Sequence, residues 1–116
     1  MACGITDQTI LHLAKHGQNL RWLCLAHNPN ITNHALRHLA QCSKLEHLNI
    51  SHNPNINDHG IDLLAKTARS LQYLDVRHCP SVTTACLPDL YAHCPDLHTV
   101  IWRNDCNEHH HTAYPY

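Results

Sequence analysis

Residues 45–56 read LEHLNISHNPNI and residues 20–31 read LRWLCLAHNPNI, so one pattern returns after 25 residues. A third copy, LQYLDVRHCPSV, spans residues 71–82. In each copy the second and third apolar positions are two apart, which places both on one face of a short strand. Because a proline-containing bend follows each strand, the copies predict short parallel strands stacked side by side.

The segment after each bend has apolar residues three and four apart, the spacing of one face of a helix, as in Ile61, Leu64 and Ala65. A short polar side chain precedes each helix, where it can accept a hydrogen bond from an unpaired backbone N–H. These capping candidates are Thr6, Thr32, Asn57 and Thr83. The pattern predicts an α/β solenoid over residues 1–106, with strands on a concave face, helices on a convex face, and three full and two partial repeats. The polar, His-rich residues 107–116 are predicted to form a disordered tail.

The bend between strand and helix reads HNPN twice and HCPS once. Asn28, Asn53 and Cys79 hold equivalent positions there, and their side chains are expected to point inward, where an asparagine satisfies buried backbone groups. The preceding histidines are expected to form a column with neighbours about 5 Å apart, the spacing of adjacent strands. Charging that column should destabilise the fold at acid pH. These histidines are His27, His52 and His78.

The pattern L-x-x-L-x-L-x-x-[NC]-x-x-[IV]-T, followed by a helix that often ends in L-A-x-x-C, resembles the cysteine-containing leucine-rich repeats of F-box/LRR proteins and of antagonist-of-mitotic-exit-like proteins. The residues that carry the resemblance lie between about residues 3 and 106: Thr6, Thr32, Cys42, Cys79, Thr83 and Cys94. The resemblance implies a repeat domain that binds proteins, as in the substrate-recognition part of a cullin-RING (SCF-type) ubiquitin ligase. The chain has no evident F-box segment, so SCF components are expected only through a missing or separate segment. A free-standing adaptor or inhibitor unrelated to ubiquitination is the alternative.

The amino-acid composition limits the classes of partner and the cellular location that are expected. The net charge of -1, with 15% charged residues, gives no reason to expect nucleic acid or a membrane surface. No apolar run approaches the roughly 18 residues of a transmembrane helix, and the first residues lack the pattern of a secretory signal. Seven cysteines, an odd number without a Cys-x-x-Cys pair, are expected to remain reduced. An intracellular location, cytoplasmic or nuclear, is therefore expected.

An enzyme is not expected. A nucleophile and base could in principle combine a histidine with Cys24, Cys79 or Cys86. However, Cys79 belongs to the inward bend position and Cys86 to the apolar helix face, and the sequence has no phosphate-binding loop or nucleophile elbow. No catalytic residue and no cofactor is predicted.

A metal-binding protein is the remote alternative. Cys106, Glu108 and residues 109–111, which are all histidine, offer atoms that zinc or nickel accepts. Their spacing matches no structural zinc module, and short His-rich tracts also occur in disordered tails. No metal site is predicted there.

The candidate binding surface is the concave face of the sheet. The third, fifth and seventh positions of each strand pattern are expected to project from that face in three columns, which also include Cys24, Ser51 and Ile101. Trp, Tyr and Arg are the residue types that dominate binding hot spots. Such a face favours a partner protein with an apolar anchor flanked by acidic groups. The alternative is that Trp22 covers an open end of the stack and that Asp75 pairs with Arg77 or Arg103. The predicted partner-binding residues are Trp22, His47, Asn49, Tyr73, Asp75, Arg77 and Arg103.

Overall fold

Strand and helix alternate along the chain in a computed structural model that describes residues 5–101 and 110–112. The helices are α1 (Asp7–His16), α2 (Asn33–Leu39), α3 (Asp58–Ala65) and α4 (Leu87–His93), the last preceded by a 3-10 turn at Thr84–Cys86. The strands are β1 (Trp22–Cys24), β2 (His47–Asn49), β3 (Tyr73–Asp75), β4 (Thr99–Ile101) and β5 (His110–Thr112). This is an α/β chain in a solenoid-like arrangement.

The five strands form one sheet in sequence order. β1 to β4 run parallel, each joined to the next by a bend and a helix that returns the chain to the same end of the sheet. β5 instead pairs antiparallel with β4. The sequence predicts a disordered tail from residue 107, and for residues 110–112 the structure has a strand instead.

The core lies between the sheet and the layer of helices. Leu48 and Leu74 from the middle of the strands have no exposed surface, and neither have Ile61 and Leu64 from α3. Replacing one such leucine with alanine typically costs about 2 to 5 kcal/mol, because a cavity remains. The apolar positions of the repeated pattern are therefore the main source of stability.

Polar side chains hold neighbouring helices in register at their N-termini. The Asp7 carboxylate accepts hydrogen bonds from the backbone N–H and the hydroxyl of Thr32. Asp58 does the same for Thr83. Between these two junctions the side chain of Asn33 instead donates a hydrogen bond to Asn57 Oδ1 and accepts one from the backbone N–H of Asn57. The predicted capping residues thus also connect one unit to the next.

The fourth helix starts later than its counterparts. Pro88 stands in its first turn, where the missing backbone N–H removes no helical hydrogen bond. The chain between Thr83 and Leu87 forms a 3-10 turn instead of helix. Among the described residues, no helix is both long and apolar enough to cross a membrane.

Candidate binding face

Three rings form a stacked row on the exposed face of the sheet. The strand register places Trp22 beside His47, His47 beside Tyr73, and Tyr73 beside Thr99. The Trp22 and His47 rings are 3.8 Å apart at their centroids and nearly parallel, at 4°. The His47 and Tyr73 rings follow at 5.6 Å and 23°. We call Trp22, His47 and Tyr73 the aromatic column.

The aromatic column is accessible. Trp22 is 67% exposed, although indole is a large apolar group that most folds cover. His47 and Tyr73 are partly exposed. Burial raises the pKa of the Tyr73 phenol, so its hydroxyl stays a neutral hydrogen-bond donor at physiological pH.

A shallow groove of about 560 Å³ runs along this column. Its polar side chains include Asn49, whose Oδ1 accepts a hydrogen bond from the backbone N–H of Ser51 at 2.9 Å. Sequence reasoning did not assign three of the lining residues to the site, although Cys24 had been placed in a projecting column. The lining residues are Trp22, Leu23, Cys24, His47, Leu48, Asn49 and Tyr73. A signal for Leu23 was available, since it lies in the first full copy of the pattern, and no strand precedes it between Ile5 and Arg21.

Asp75 and Arg77, both predicted as partner-binding residues, are bound to each other, which is the alternative that the sequence left open for Asp75. The Asp75 side chain is 1% exposed and binds Arg77 at both oxygens, with Nη2 to Oδ2 at 2.8 Å and Nε to Oδ1 at 3.1 Å. Its Oδ1 also accepts the backbone N–H of Arg77. A buried carboxylate needs these partners, so the guanidinium is held over Asp75, and this hydrogen bonding raises the pKa of Arg77.

The prediction that the third, fifth and seventh positions all project from the sheet is wrong at two further places. Ser51 and Ile101 are almost fully buried. Arg103 lies outside the described residues. Of the predicted site, the structure therefore brings together Trp22, His47, Asn49 and Tyr73 as one accessible surface, while the side chain of Asp75 is buried beneath Arg77.

Neither family models nor curated proteins match this chain. The face must be interpreted from its own chemistry.

A second column of rings lies at the bends. The His27 and His52 rings are 3.9 Å apart at their centroids, and those of His52 and His78 are 4.1 Å apart. All three residues have positive φ, between 58° and 61°, a conformation in which asparagine is favoured over most residues. Loss of solvent, followed by the neighbouring His27 and His78, lowers the pKa of His52. The predicted column is present, with rings closer than one strand spacing.

Most of the cysteine thiols in the described residues are buried, and that of Cys24 is exposed. Burial raises the pKa of Cys86 to about 12 and that of Cys94 to about 11, and it also raises the pKa of Cys42 and Cys79. A thiol with a raised pKa is a poor nucleophile at neutral pH, because the reactive form is the thiolate. Within residues 5–101 and 110–112 no three metal-ligating side chains converge, and the tail residues Cys106, Glu108 and His109 lie outside the described residues.

Proposed function

We propose that this chain is a leucine-rich-repeat protein-binding module that holds a partner protein on the exposed face of its parallel sheet. The observation that carries the proposal is the aromatic column beside the groove. The fold needs no aromatic residue at these positions, since their strand neighbours on the opposite face already fill the core. Three stacked rings on a rigid sheet are preordered for binding, so little entropy is lost when a partner covers them.

The chemistry of this face favours an apolar anchor in the partner. Arg77 is already bound to Asp75, and Arg21, which directly precedes β1, is paired with Glu46 at 2.7 Å. The groove itself is lined by uncharged side chains and one histidine. A flanking acidic group on the partner therefore has less to bind than the sequence suggests. An aromatic, leucine or proline side chain that covers the rings fits better, with a backbone carbonyl placed to accept from the Asn49 amide.

Two observations support the repeat assignment within this proposal. The strand register advances by 25 residues from Trp22 to His47 and by 26 from there to Tyr73 and on to Thr99. The bend residues Asn28 and Asn53 make the same inward hydrogen bonds to backbone carbonyls in successive units. Membership of a cullin-RING ligase is supported by the sequence resemblance alone, and a free-standing adaptor or inhibitor makes the same use of the face.

The test is affinity purification of the full chain with mass spectrometry, followed by affinity measurements with the protein recovered. We expect Trp22→Ala and Tyr73→Ala each to weaken binding by roughly 1 to 3 kcal/mol with little change in melting temperature. His59→Ala, an exposed substitution on α3, is the matched control and should bind as the wild type does. Equal binding by all variants would show that the partner uses another surface.

The same purification separates the two biological roles. Stoichiometric recovery of a Skp1-like adaptor and a cullin would support membership of a ubiquitin ligase. Recovery of a single unrelated protein would support a free-standing adaptor or inhibitor.

A further inference from the structure

The polar side chains that line the groove beside the aromatic column mainly offer hydrogen-bond donors. Asn49 Oδ1 already accepts the backbone N–H of Ser51, and no described residue accepts a hydrogen bond from the Asn49 amide nitrogen. The indole N–H of Trp22 can only donate. Burial raises the pKa of Tyr73, so its hydroxyl keeps its proton. The lining residues include no carboxylate, and only the Tyr73 hydroxyl and the weakly accepting thiol of Cys24 can accept in return.

His47, at the centre of the column, adds a further donor. Its Nδ1 is buried and has no hydrogen-bond partner among the described residues. A buried N–H without an acceptor is rarer in folded proteins than a buried acceptor without a donor. The proton of the neutral ring is therefore assigned to the other nitrogen, Nε2, by its surroundings. Because His47 is partly exposed and lines the groove, a bound segment meets an Nε2–H donor there.

This set of donors suits one kind of backbone better than the others. A β-strand or an irregular segment presents one N–H per residue, and an N–H that is buried without an acceptor is costly. A helix forms its backbone hydrogen bonds within itself and brings only side chains. A polyproline II segment differs, because proline has no N–H and its carbonyls have no internal hydrogen bonds. Its backbone supplies acceptors alone.

The dimensions of the aromatic column fit the same conformation. The rings stack across the strands, with centroid distances of 3.8 Å and 5.6 Å between successive members. Laid end to end, these two distances are close to one turn of a polyproline II helix, which rises about 9 Å over three residues. Aromatic-lined grooves are the surfaces on which proline-rich segments dock in other folds. Charged side chains are not needed for such a ligand, and the lining residues are uncharged apart from one histidine.

We propose that the groove binds a proline-rich segment of a partner protein in the polyproline II conformation, laid across the strands along the aromatic column. This inference rests on the proposed function and names the class of segment that the face binds. Pyrrolidine rings pack against Trp22, His47 and Tyr73, and carbonyls of the segment accept from His47 Nε2–H and from the Asn49 amide. Because proline fixes the segment before binding, little further entropy is lost.

The probe is a fluorescein-labelled peptide of nine prolines, titrated with the full chain and followed by fluorescence anisotropy. We expect saturable one-to-one binding. A second peptide, in which every other proline is replaced by alanine, regains N–H groups and should bind at least tenfold more weakly. His59→Ala, an exposed substitution on α3, should bind the proline peptide as the wild type does. Absence of saturable binding, or equal affinity for the two peptides, would overturn the inference.

Asn49→Asp tests the donors directly. The new carboxylate still accepts the N–H of Ser51, in the way that Asp75, at the paired position of the next strand, accepts that of Arg77. It replaces the amide donor with an acceptor, so binding of the proline peptide should weaken at least tenfold while the melting temperature changes little. His47→Phe keeps a stacked ring, removes Nε2–H and should weaken binding severalfold. Unchanged peptide binding in both variants would contradict the proposed recognition.

Competition with the natural partner separates this inference from the proposed function. We expect the proline peptide to displace the protein that affinity purification recovers. A partner that Trp22→Ala releases but the peptide does not displace would overturn the proline-rich segment and leave the face as the binding surface. Peptide binding that Tyr73→Ala leaves unchanged would place the peptide away from the column and would also overturn the inference.

Discussion

Two rows of side chains have one member in each repeat unit, one row at the bends and the other the aromatic column, but their structural roles differ. The bend row (Asn28, Asn53 and Cys79) is buried, and its side chains bind the backbone of their own and the preceding unit. The aromatic column is exposed, and only ring stacking is seen between its members. A repeated side chain therefore has a structural role where it forms hydrogen bonds with buried backbone groups. It is a candidate for binding where its removal would leave no buried backbone group without a hydrogen bond.

The largest expected effect is at the centre of the bend row. Asn53→Ala removes the acceptor of the Asn28 N–H and the donor to two buried carbonyls, those of Leu25 and Ile50. We expect the free energy of unfolding to fall by about 2 to 4 kcal/mol. Tyr73→Ala should lower it by less than about 1 kcal/mol, since Tyr73 is partly exposed. Urea denaturation of both variants measures the contrast, and similar losses would break the distinction between the two rows.

Asn28→Ala is the internal control for that contrast. It removes a side chain whose Oδ1 has no hydrogen-bond partner within the described part of the chain, and the carbonyl of Leu25 keeps its bond from Asn53. The loss should therefore be smaller than for Asn53→Ala, about 1 kcal/mol. A larger loss at Asn28 would contradict the hydrogen-bond assignment.

The next prediction concerns Arg77, whose charge the sequence assigned to the exposed binding face. Arg77→Ala leaves the Asp75 carboxylate with the backbone N–H of residue 77 as its one remaining partner among the described residues. We expect the free energy of unfolding to fall by about 2 kcal/mol, because an uncompensated buried charge is costly. Adding Asp75→Asn should restore part of the loss, because the amide is uncharged. A melting temperature that Arg77→Ala leaves unchanged would return this residue to the binding face.

A smaller effect is expected at the helix N-termini. Asp58→Ala removes an acceptor from both the N–H and the hydroxyl of Thr83. The loss of these exposed hydrogen bonds should cost about 1 kcal/mol, the usual contribution of a helix cap.

Replacing Asn33 with Asp and Asn57 with Thr together reproduces the Asp7 and Thr32 pair in the middle of the stack. That double variant should be more stable than either single one, and thermal melts would detect the difference.

The smallest effect is the response to acid. The pKa of His52 is lowered in the folded chain by loss of solvent, by the charges of His27 and His78, and by Arg77, while Asp75 opposes the shift. The unfolded chain therefore binds a proton at higher pH than the folded chain does. Stability is present in full above about pH 6.5 and falls as the pH drops below that value. His52→Asn keeps a residue that tolerates positive φ and removes the ring, so its melting temperature should fall less between neutral and mildly acidic pH. An identical acid response in both proteins would contradict the prediction.

The repeated spacing was enough to predict which residues share a column. Trp22, His47 and Tyr73 could be aligned from the sequence because the apolar positions around them return every 25 or 26 residues, and strand pairing in a stack follows the repeat. The inward side chain of Asn53 could be predicted for a similar reason. A proline bend buries backbone groups, and a short amide is able to bind them.

Only the tertiary structure decided which columns are covered. Tyr73 and Asp75 are two residues apart on one strand and therefore lie on the same face of the sheet. Tyr73 is partly exposed, yet the Asp75 carboxylate is buried because the side chain of Arg77 lies over it. Such pairing depends on side-chain positions that no spacing encodes. The strand at residues 110–112 depends likewise on contacts between distant parts of the chain. The sequence alone determined the repeat, its columns and its core, because these follow from local periodicity. Exposure is a property of the assembled surface, so the cover that Arg77 gives Asp75 and the burial of Ser51 became visible only in three dimensions.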